Sequence, residues 1–265
     1  MRLPITIPLL SCLTLPLSCQ QKPAEDPLAE MFRTFAEAGI ELDLEARSLS
    51  IEAEVGRPDQ LLEYLLINPR GKGHEALLVT EVKPSLLNAA LLALGFVKGE
   101  NARMVDKDPM PSMEEIENGA SYVDIFPPKG MSAWFTVSWQ DQDGKDQLRP
   151  VEDLIVDMST EKPLQAAEWI FLGGRMAAPY RGDPDVFLAD LSHNLVSICY
   201  LEPPNHLITM SHERAADDQN WWVNAEICPK PGSKVQLTIH RGKPALLIER
   251  ERRISEGKQQ SAKTP

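Results

Sequence analysis

The apolar positions in the central part of the chain predict two short strands followed by a helix. Apolar runs of strand length cover Leu61 to Ile67 and Glu75 to Val82, and the Asn, Pro and Gly residues between them are typical of a turn. Pro84 marks the start of a helix and Gly95 its end. We therefore expect a β-hairpin that leads into a helix. Because only two polar residues interrupt this helix, it should be buried on most sides.

The segments on either side of this region have regular patterns too. Leu28 to Ala38 has its large apolar residues on one helical face, which predicts an amphipathic helix that ends at Gly39. Apolar and polar residues then alternate from Leu42 to Val55, as in a half-buried strand, and we expect these strands to pair in sequence with the hairpin. Asn101 to Gly119 is polar and rich in Met, Glu and Pro, which favours a loop or a short-helix insertion.

The second half of the chain is dominated by strand patterns. The candidates are Tyr122 to Phe126, Ala133 to Trp139, Trp169 to Leu172, Val186 to Leu188, Leu195 to Tyr200, Val235 to Ile239 and Ala245 to Ile248. Asp141 to Gly144 has the letters of a calcium loop, but the further acidic positions that such a loop needs are missing, so we interpret it as a hairpin turn.

These patterns together predict an α+β fold in one domain, residues 28–248. The domain should consist of a mostly antiparallel sheet with one buried helix and one N-terminal amphipathic helix. From Glu249 onward the sequence is mixed in charge and has no apolar period, so we expect a disordered tail over residues 249–265.

The N-terminus has the pattern of an export signal. Arg2 is the only charged residue among residues 1–18, and an uncharged apolar segment follows it. The sequence Leu15-Pro16-Leu17-Ser18-Cys19 resembles a bacterial lipobox, although Pro16 stands where leucine is preferred. Cys12 fits the motif letters better, but the apolar segment before it is too short for export. We therefore expect a signal peptide over residues 1–18, lipidation of Cys19 and a polar tether over residues 19–27; cleavage without lipidation is the alternative.

The net charge of the chain limits the kinds of partner that we expect. The 39 acidic residues exceed the 27 basic residues, for a net charge of −12. Such a protein has no broad positive field, so we expect no nucleic-acid partner. After residue 20 no apolar segment reaches the length of about 20 residues that a membrane span needs. The expected partners are the membrane, through the lipid anchor, and an unidentified protein, and the expected location is the cell envelope, on the exported side of a membrane.

His74 and Glu75 are the candidate ligand-binding residues. They lie beside Arg70 and Lys72 at the predicted turn, but neighbouring side chains of a strand point to opposite faces, so a structural role in the turn is the simpler interpretation. Other acids and histidines form a scattered pool without a metal-binding spacing: Asp183, Asp185, Asp190, His193, His206, His212 and Glu213. We expect neither a metal site nor a cofactor, and no catalytic set is recognisable.

Cys199 and Cys228 are the two cysteines outside the export signal. An exported protein occupies an oxidising compartment, so the two thiols could form a disulfide. Cys199 lies in an apolar strand pattern, however, where a free cysteine behaves as a small buried hydrophobe. The neighbouring residues Trp221 and Trp222 should point to opposite sides of a strand, so that one enters the core and the other faces solvent.

The order of these motifs resembles the YdjY-like domain family of bacterial proteins. The similarity rests on Leu62-Glu63-Tyr64-Leu65-Leu66, on His74-Glu75 followed by Leu77-Leu78-Val79-Thr80, and on Lys83-Pro84-Ser85 leading to Gly95. Later motifs at Val151–Ile155, Trp169–Gly173, Trp222–Asn224 and Pro231-Gly232 keep the family's order, so the resemblance covers about Ile40 to His240. It implies a fold and no particular reaction. Some members carry an iron–sulfur portion, but a cubane cluster needs four thiolates and two cysteines remain here.

These observations favour an exported, lipid-anchored envelope protein that acts as a non-catalytic binding or accessory protein. A metal-dependent enzyme that uses His74 and the acids between Asp183 and His193 is one alternative. An accessory to envelope electron transfer is the other, and only the resemblance suggests it.

Overall fold

The computed structural model describes residues 26–57, 61–165 and 167–261. Its α-helices are α1 (Pro27–Glu37), α2 (Pro84–Ala93), α3 (Met113–Glu117), α4 (Leu188–Ser192) and α5 (Ala245–Ser261), and short 3₁₀ helices cover Gly73–Glu75 and Val151–Leu154. Its strands are β1 (Ile40–Asp43), β2 (Ser48–Val55), β3 (Tyr64–Ile67), β4 (Ala76–Val79), β5 (Arg103–Asp106), β6 (Val123–Phe126), β7 (Ser132–Gln140), β8 (Asp146–Pro150), β9 (Ile155–Asp157), β10 (Lys162–Pro163), β11 (Glu168–Phe171), β12 (Met176–Ala177), β13 (Val186–Phe187), β14 (Asn194–Ser197), β15 (Ile208–Ser211), β16 (Trp221–Val223) and β17 (Lys234–His240).

The main sheet is a closed barrel, so the predicted α+β fold class is wrong. Eight strands form the ring in the order β2-β17-β7-β11-β15-β14-β3-β4, and the ring closes because β4 pairs with β2. Strands β1 and β8 pair at the edges of β2 and β7 and complete the ten-stranded sheet. The protein is thus mostly β, because the strand patterns close on themselves instead of forming an open sheet beneath a helix.

The central region is not the predicted β-hairpin. Strands β3 and β4 pair in parallel, with Tyr64 opposite Ala76 and Leu66 opposite Leu78. The chain between them crosses back through the 3₁₀ helix at Gly73–Glu75 before β4 begins. All residues of β3 are buried, because a small apolar cluster around Tyr64 and Ile67 covers the side of the strand that faces away from the main core. Strand β2 pairs with β17 and not with β3, so the expected pairing in sequence order is broken between β2 and β3.

Large side chains fill the inside of the barrel. Trp169, Phe135 and Phe171 are fully buried, and the rings of Phe135 and Trp169 meet edge to face with centroids 5.3 Å apart. Phe171 continues the cluster to Phe96, at a centroid distance of 5.4 Å. Aromatic pairs of this geometry add about 0.5–1.5 kcal/mol beyond the apolar area that they bury.

The two predicted helices are present. Helix α1 has Asp26 as its N-cap and buries Phe35, and α2 begins at Pro84 and ends before Gly95, whose φ is +82°. One side of α2 remains exposed, with Leu92 at its surface, so the expectation of burial on most sides holds only in part. The Asp190 carboxylate accepts a hydrogen bond from the Ser85 amide at 2.8 Å and so joins α4 to the start of α2.

The C-terminal segment is helical up to Ser261, where the sequence predicts a strand at Ala245–Ile248 and then a disordered tail. Ion pairs along the helix explain the difference, because Glu249 contacts Arg252 and Arg253, and Arg252 also contacts Glu256 at 2.6 Å. Arg250 secures the helix to the barrel by donating a hydrogen bond to the Leu164 carbonyl.

The predicted signal peptide, Cys19 and the tether up to residue 25 lie outside the described residues. So do residues 262–265 at the other end. No helix in the part of the chain that the structure describes has the length and apolar character to cross a membrane.

Candidate functional site

A lysine lies between two carboxylates beside the 3₁₀ helix that precedes β4. The Lys72 ammonium is 3.2 Å from Glu63 Oε2 and 2.9 Å from Glu75 Oε2. Glu63 is brought here by the chain just before β3, and Glu75 by the last residue of the 3₁₀ helix. The ammonium also lies over the Tyr64 ring, 5.7 Å from its centroid. The parallel pairing of β3 and β4 places these groups together, because Tyr64 lies opposite Ala76.

The two carboxyl groups have different proton affinities. Burial and the nearby charge of Glu75 raise the pKa of Glu63 against the opposing effect of Lys72. Burial also raises the pKa of Glu75, but hydrogen bonds from Lys72 and Glu63 and the lysine charge outweigh it, so the net pKa is lowered. Burial, partly offset by the Lys72 charge, raises the pKa of Tyr64 to about 12. Glu63 therefore loses its proton at a higher pH than Glu75.

His74 and Glu75 are adjacent, as the sequence suggests, and their side chains do meet. His74 Nε2 lies 3.4 Å from Glu75 Oε1, and the imidazole is half exposed to solvent. Lys72 contacts the other carboxylate oxygen of Glu75. His74 therefore lies at the outer edge of an ion-paired cluster formed by Glu63, Lys72 and Glu75. In chemical terms the cluster can hold a proton between its two carboxyl groups, and Lys72 already supplies their cationic partner.

The other acids and histidines of the predicted pool are dispersed over the fold. Asp190 caps α2, and His193 ends α4 in a left-handed conformation with φ +61°. His206 is fully buried, which lowers its pKa to about 4. His212 packs edge-on against the buried Trp221, 5.3 Å between centroids. Among the described residues no three His, Cys, Asp or Glu side chains are placed to hold one metal ion.

Both cysteines of the body are free thiols. Cys199 is buried and its thiol lies 3.7 Å from the Leu62 carbonyl, while Cys228 is half buried. Burial raises the pKa of both thiols, that of Cys228 to about 11. Of the two neighbouring tryptophans, Trp221 is fully buried and Trp222 is 44% exposed, as their predicted strand alternation requires.

A second candidate surface is a projecting ribbon, residues 103–127, which we call the arm. Strands β5 and β6 form its stem and pair with each other and with no other described strand. Its base is tied by reciprocal backbone hydrogen bonds between Glu100 and Lys129, at 2.7 and 3.0 Å. There Gly99 and Gly130 cross so closely that a Cβ on Gly99 would lie 2.9 Å from the Gly130 Cα.

The arm exposes a concentration of large apolar side chains. Seven of the 18 large hydrophobic residues that are exposed in the described part of the chain lie within it: Met104, Val105, Met110, Met113, Tyr122, Ile125 and Phe126. Met113, at the start of α3, is 71% exposed. Scattered exposed hydrophobic residues are ordinary on protein surfaces, whereas contiguous exposed apolar patches are typical of interaction sites.

Comparison with protein families places the barrel in a known group. A family model described as the YdjY domain matches residues 40–240, which begins with β1 and ends with β17. The chain belongs to the YdjY family. Comparisons with curated proteins and with solved structures gave no significant match. The family resemblance seen in the sequence is thereby confirmed, and the arm and the Lys72 cluster both belong to this YdjY domain.

The YdjY domain also contains a buried carboxyl group that the sequence pattern does not single out. Glu152 is 1% exposed, and its Oε1 accepts a hydrogen bond from Trp169 Nε1 at 2.8 Å. Its Oε2 has no hydrogen-bond partner among the described residues, although it adjoins a cavity of about 10 Å³ lined by Arg250 and Glu251. Burial raises its pKa. The sequence signal was an acid inside the run Val151-Glu152-Asp153-Leu154-Ile155, and the same signal marks Glu63 in Leu61–Ile67.

Proposed function

We propose that this protein is an exported, lipid-anchored envelope protein that acts by binding a protein partner through the arm. The binding role is supported mainly by the cluster of exposed apolar side chains on a ribbon whose strands pair with no other strand among the described residues. An isolated two-stranded ribbon is only marginally stable, and its unpaired edges favour association with another chain. Docking onto a partner would cover these side chains.

The location is proposed from the N-terminal sequence. A signal peptide over residues 1–18 followed by Cys19 supports export and lipidation. Helix α1 begins at Pro27, so residues 20–26 separate the proposed lipid from the folded domain. Seven extended residues span at most about 25 Å. A lipidated Cys19 would therefore hold the domain and its arm close to the membrane surface, where a membrane-associated partner is within reach.

The geometry of the Lys72 cluster fits a binding protein better than a catalyst. Lys72 engages both Glu63 and Glu75, so neither carboxylate faces solvent as an unpaired base. The half-exposed His74 and the neighbouring acids could add a secondary polar contact to a partner. No observation favours the metal-dependent alternative, because no three His, Cys, Asp or Glu side chains among the described residues lie close enough together to hold a metal ion.

The anchor is tested by the intact mass of membrane-extracted protein. We expect the mass of a diacylated or triacylated Cys19 with residues 1–18 removed. The Cys19→Ala variant should lose the lipid and move to the soluble fraction. An unmodified Cys19 in membrane-extracted wild-type protein would contradict the anchor.

The binding role is tested with the photo-crosslinking amino acid p-benzoylphenylalanine in the full-length chain, expressed in its native host. Placed at Met113 on the arm, it should give one discrete adduct with another protein after irradiation. Placed at Glu226, an exposed residue outside the arm, it should not give that adduct. Equal crosslinking from both positions, or none from Met113, would refute the arm as the docking element.

A further inference from the structure

The register of the arm places apolar side chains on both of its faces. Met104 lies directly opposite Ile125, and Arg103 lies opposite Phe126. Since side chains alternate along a strand, Met104 and Ile125 project from one face of the ribbon, and Val105 and Phe126 from the other. All four are exposed. A flat partner surface could cover only one of these faces, whereas a cleft covers both.

The net charge of the arm indicates which kind of partner surface it attracts. Residues 103–127 contain six carboxylates and two basic residues, a net charge of −4, and the whole chain carries −12. Three of the acids, Glu114, Glu115 and Glu117, lie on or at the end of α3 at the tip. Two acidic arms repel each other, and an anionic membrane surface repels the arm too. A basic protein surface attracts it.

Contacts within the arm stabilise its conformation. Ser112 and Glu115 form a reciprocal capping box at the start of α3, and the Arg103 guanidinium lies 5.2 Å from the centroid of the Phe126 ring. Lys107 donates a backbone hydrogen bond to the Tyr122 carbonyl at 2.9 Å and extends the stem. A preformed element loses less conformational entropy on binding than a flexible loop.

From these observations we infer that the arm inserts, with both faces of its stem covered, into an apolar cleft of a partner protein whose rim carries lysine and arginine. This inference rests on the proposed binding function and adds the chemistry and shape of the partner. The stem residues fill the cleft, and the acids of α3 meet the basic rim.

The test places p-benzoylphenylalanine at Met104 and, separately, at Val105 of the full-length chain in its native host. Because these neighbours project from opposite faces, a cleft should give an adduct with the same protein from both positions. Mass spectrometry of the adducts should identify apolar peptides with lysine or arginine nearby. The triple variant Glu114→Gln, Glu115→Gln and Glu117→Gln should lower the adduct yield roughly threefold to tenfold, since rim charges mainly accelerate association.

The matched control removes the same number of charges elsewhere. Glu202, Glu213 and Glu226 are exposed and lie outside the arm, and their conversion to Gln should leave the yield unchanged. An adduct from one face alone, an adduct with a second copy of the chain or with lipid, or equal effects of the two triple variants would overturn the inference while leaving the arm as a contact surface. No adduct from either position or from Met113 would overturn the proposed binding function itself.

Discussion

Lys72 holds together two carboxylates that would otherwise repel each other. Its ammonium contacts both Glu63 and Glu75, and the Tyr64 ring covers part of it. About half of the Lys72 side chain is exposed, so solvent screens the interaction and its contribution to stability is modest. The arrangement lets a charged group remain near the buried start of β3.

Replacing Lys72 with Met should lower the free energy of unfolding by about 1 kcal/mol at pH 7.5. Lysine lowers the folded-state pKa of Glu75 and opposes the rise of that of Glu63, so its loss raises both. Because wild type and variant share the same unfolded state, the loss begins near the lowered folded-state pKa of Glu75 and grows as pH rises toward the higher folded-state pKa values of the variant, so it is smaller at pH 4 than at pH 7.5. Urea unfolding at pH 4 and pH 7.5 measures this difference. Lys72→Arg keeps the cation and should stay close to wild type; an equal loss at both pH values would rule the explanation out.

Glu152 gives a second pH-dependent prediction at the residue scale. Burial raises its folded-state pKa, so its contribution to stability is fully present below pH 4.5 and declines as pH rises through the folded-state pKa. Glu152→Gln keeps an oxygen that can accept the Trp169 hydrogen bond and cannot ionise. Relative to wild type, the variant should therefore gain stability between pH 4.5 and pH 8 in urea unfolding. Glu226→Gln, at an exposed position, serves as the control and should show no such trend.

At the scale of elements, Arg250 attaches α5 to the barrel through polar contacts. Arg250 donates hydrogen bonds to the carbonyls of Leu164 and Gln165 and forms an ion pair with Asp153 at 2.8 Å. Its guanidinium is mostly buried, unlike the exposed Arg253, which pairs with Glu249 on the same helix. Hydrogen bonds that involve a charged group contribute more than neutral ones.

Arg250→Met should release α5 without unfolding the barrel. We expect faster amide hydrogen exchange in residues 245–256, equivalent to a loss of about 1.5–3 kcal/mol of local stability. Arg253→Met removes a surface pair of similar charge and should change exchange by a few tenths of a kcal/mol at most, about the value of an ion pair within a helix. If amide hydrogen exchange in α5 were unchanged in the Arg250→Met variant, Leu247 and its apolar neighbours would suffice to hold the helix on the barrel.

At the scale of the whole molecule, the barrel is closed by the short pairing between the end of β2 and β4. Val55 lies opposite Leu78, and the Gly56 amide donates a hydrogen bond to the Leu77 carbonyl at 2.8 Å. A Cβ on Gly56 would lie 2.5 Å from the Ala76 carbonyl oxygen, which is backbone and cannot rotate away. The closure therefore requires a glycine at this position.

Gly56→Ala should destabilise the protein by roughly 1–3 kcal/mol, the usual cost of overpacking a buried site. Thermal unfolding measures the loss, and hydrogen exchange should place it at β2 and β4. Gly242→Ala is the matched control because nothing lies within 4 Å of the added Cβ, and its stability should stay within a few tenths of a kcal/mol of wild type. Equal stability of the two variants would mean that β4 shifts to admit the methyl group.

The candidate site was visible in the sequence only in part. His74 and Glu75 stood out because they flank a glycine-rich turn, and their side chains do meet. Glu63 and Glu152 do not stand out, because each is a single acid within an apolar run that is typical of a buried strand. For the arm, the sequence predicts a loop or short helix over Asn101–Gly119 and a strand over Tyr122–Phe126. Its exposed apolar residues are dispersed along the chain and become a cluster only when β5 pairs with β6.

The sequence alone determined the helices α1 and α2, the turn between β7 and β8, and the opposite orientations of Trp221 and Trp222. Each of these depends on residues close together in the chain: caps, glycines and alternation. Only the tertiary structure decided that β3 and β4 run parallel, that β2 pairs with β17 and β4, and that α5 is helical against the barrel. The reason is that strand partners are chosen by which apolar faces can be buried together, and those faces belong to segments up to almost 200 residues apart.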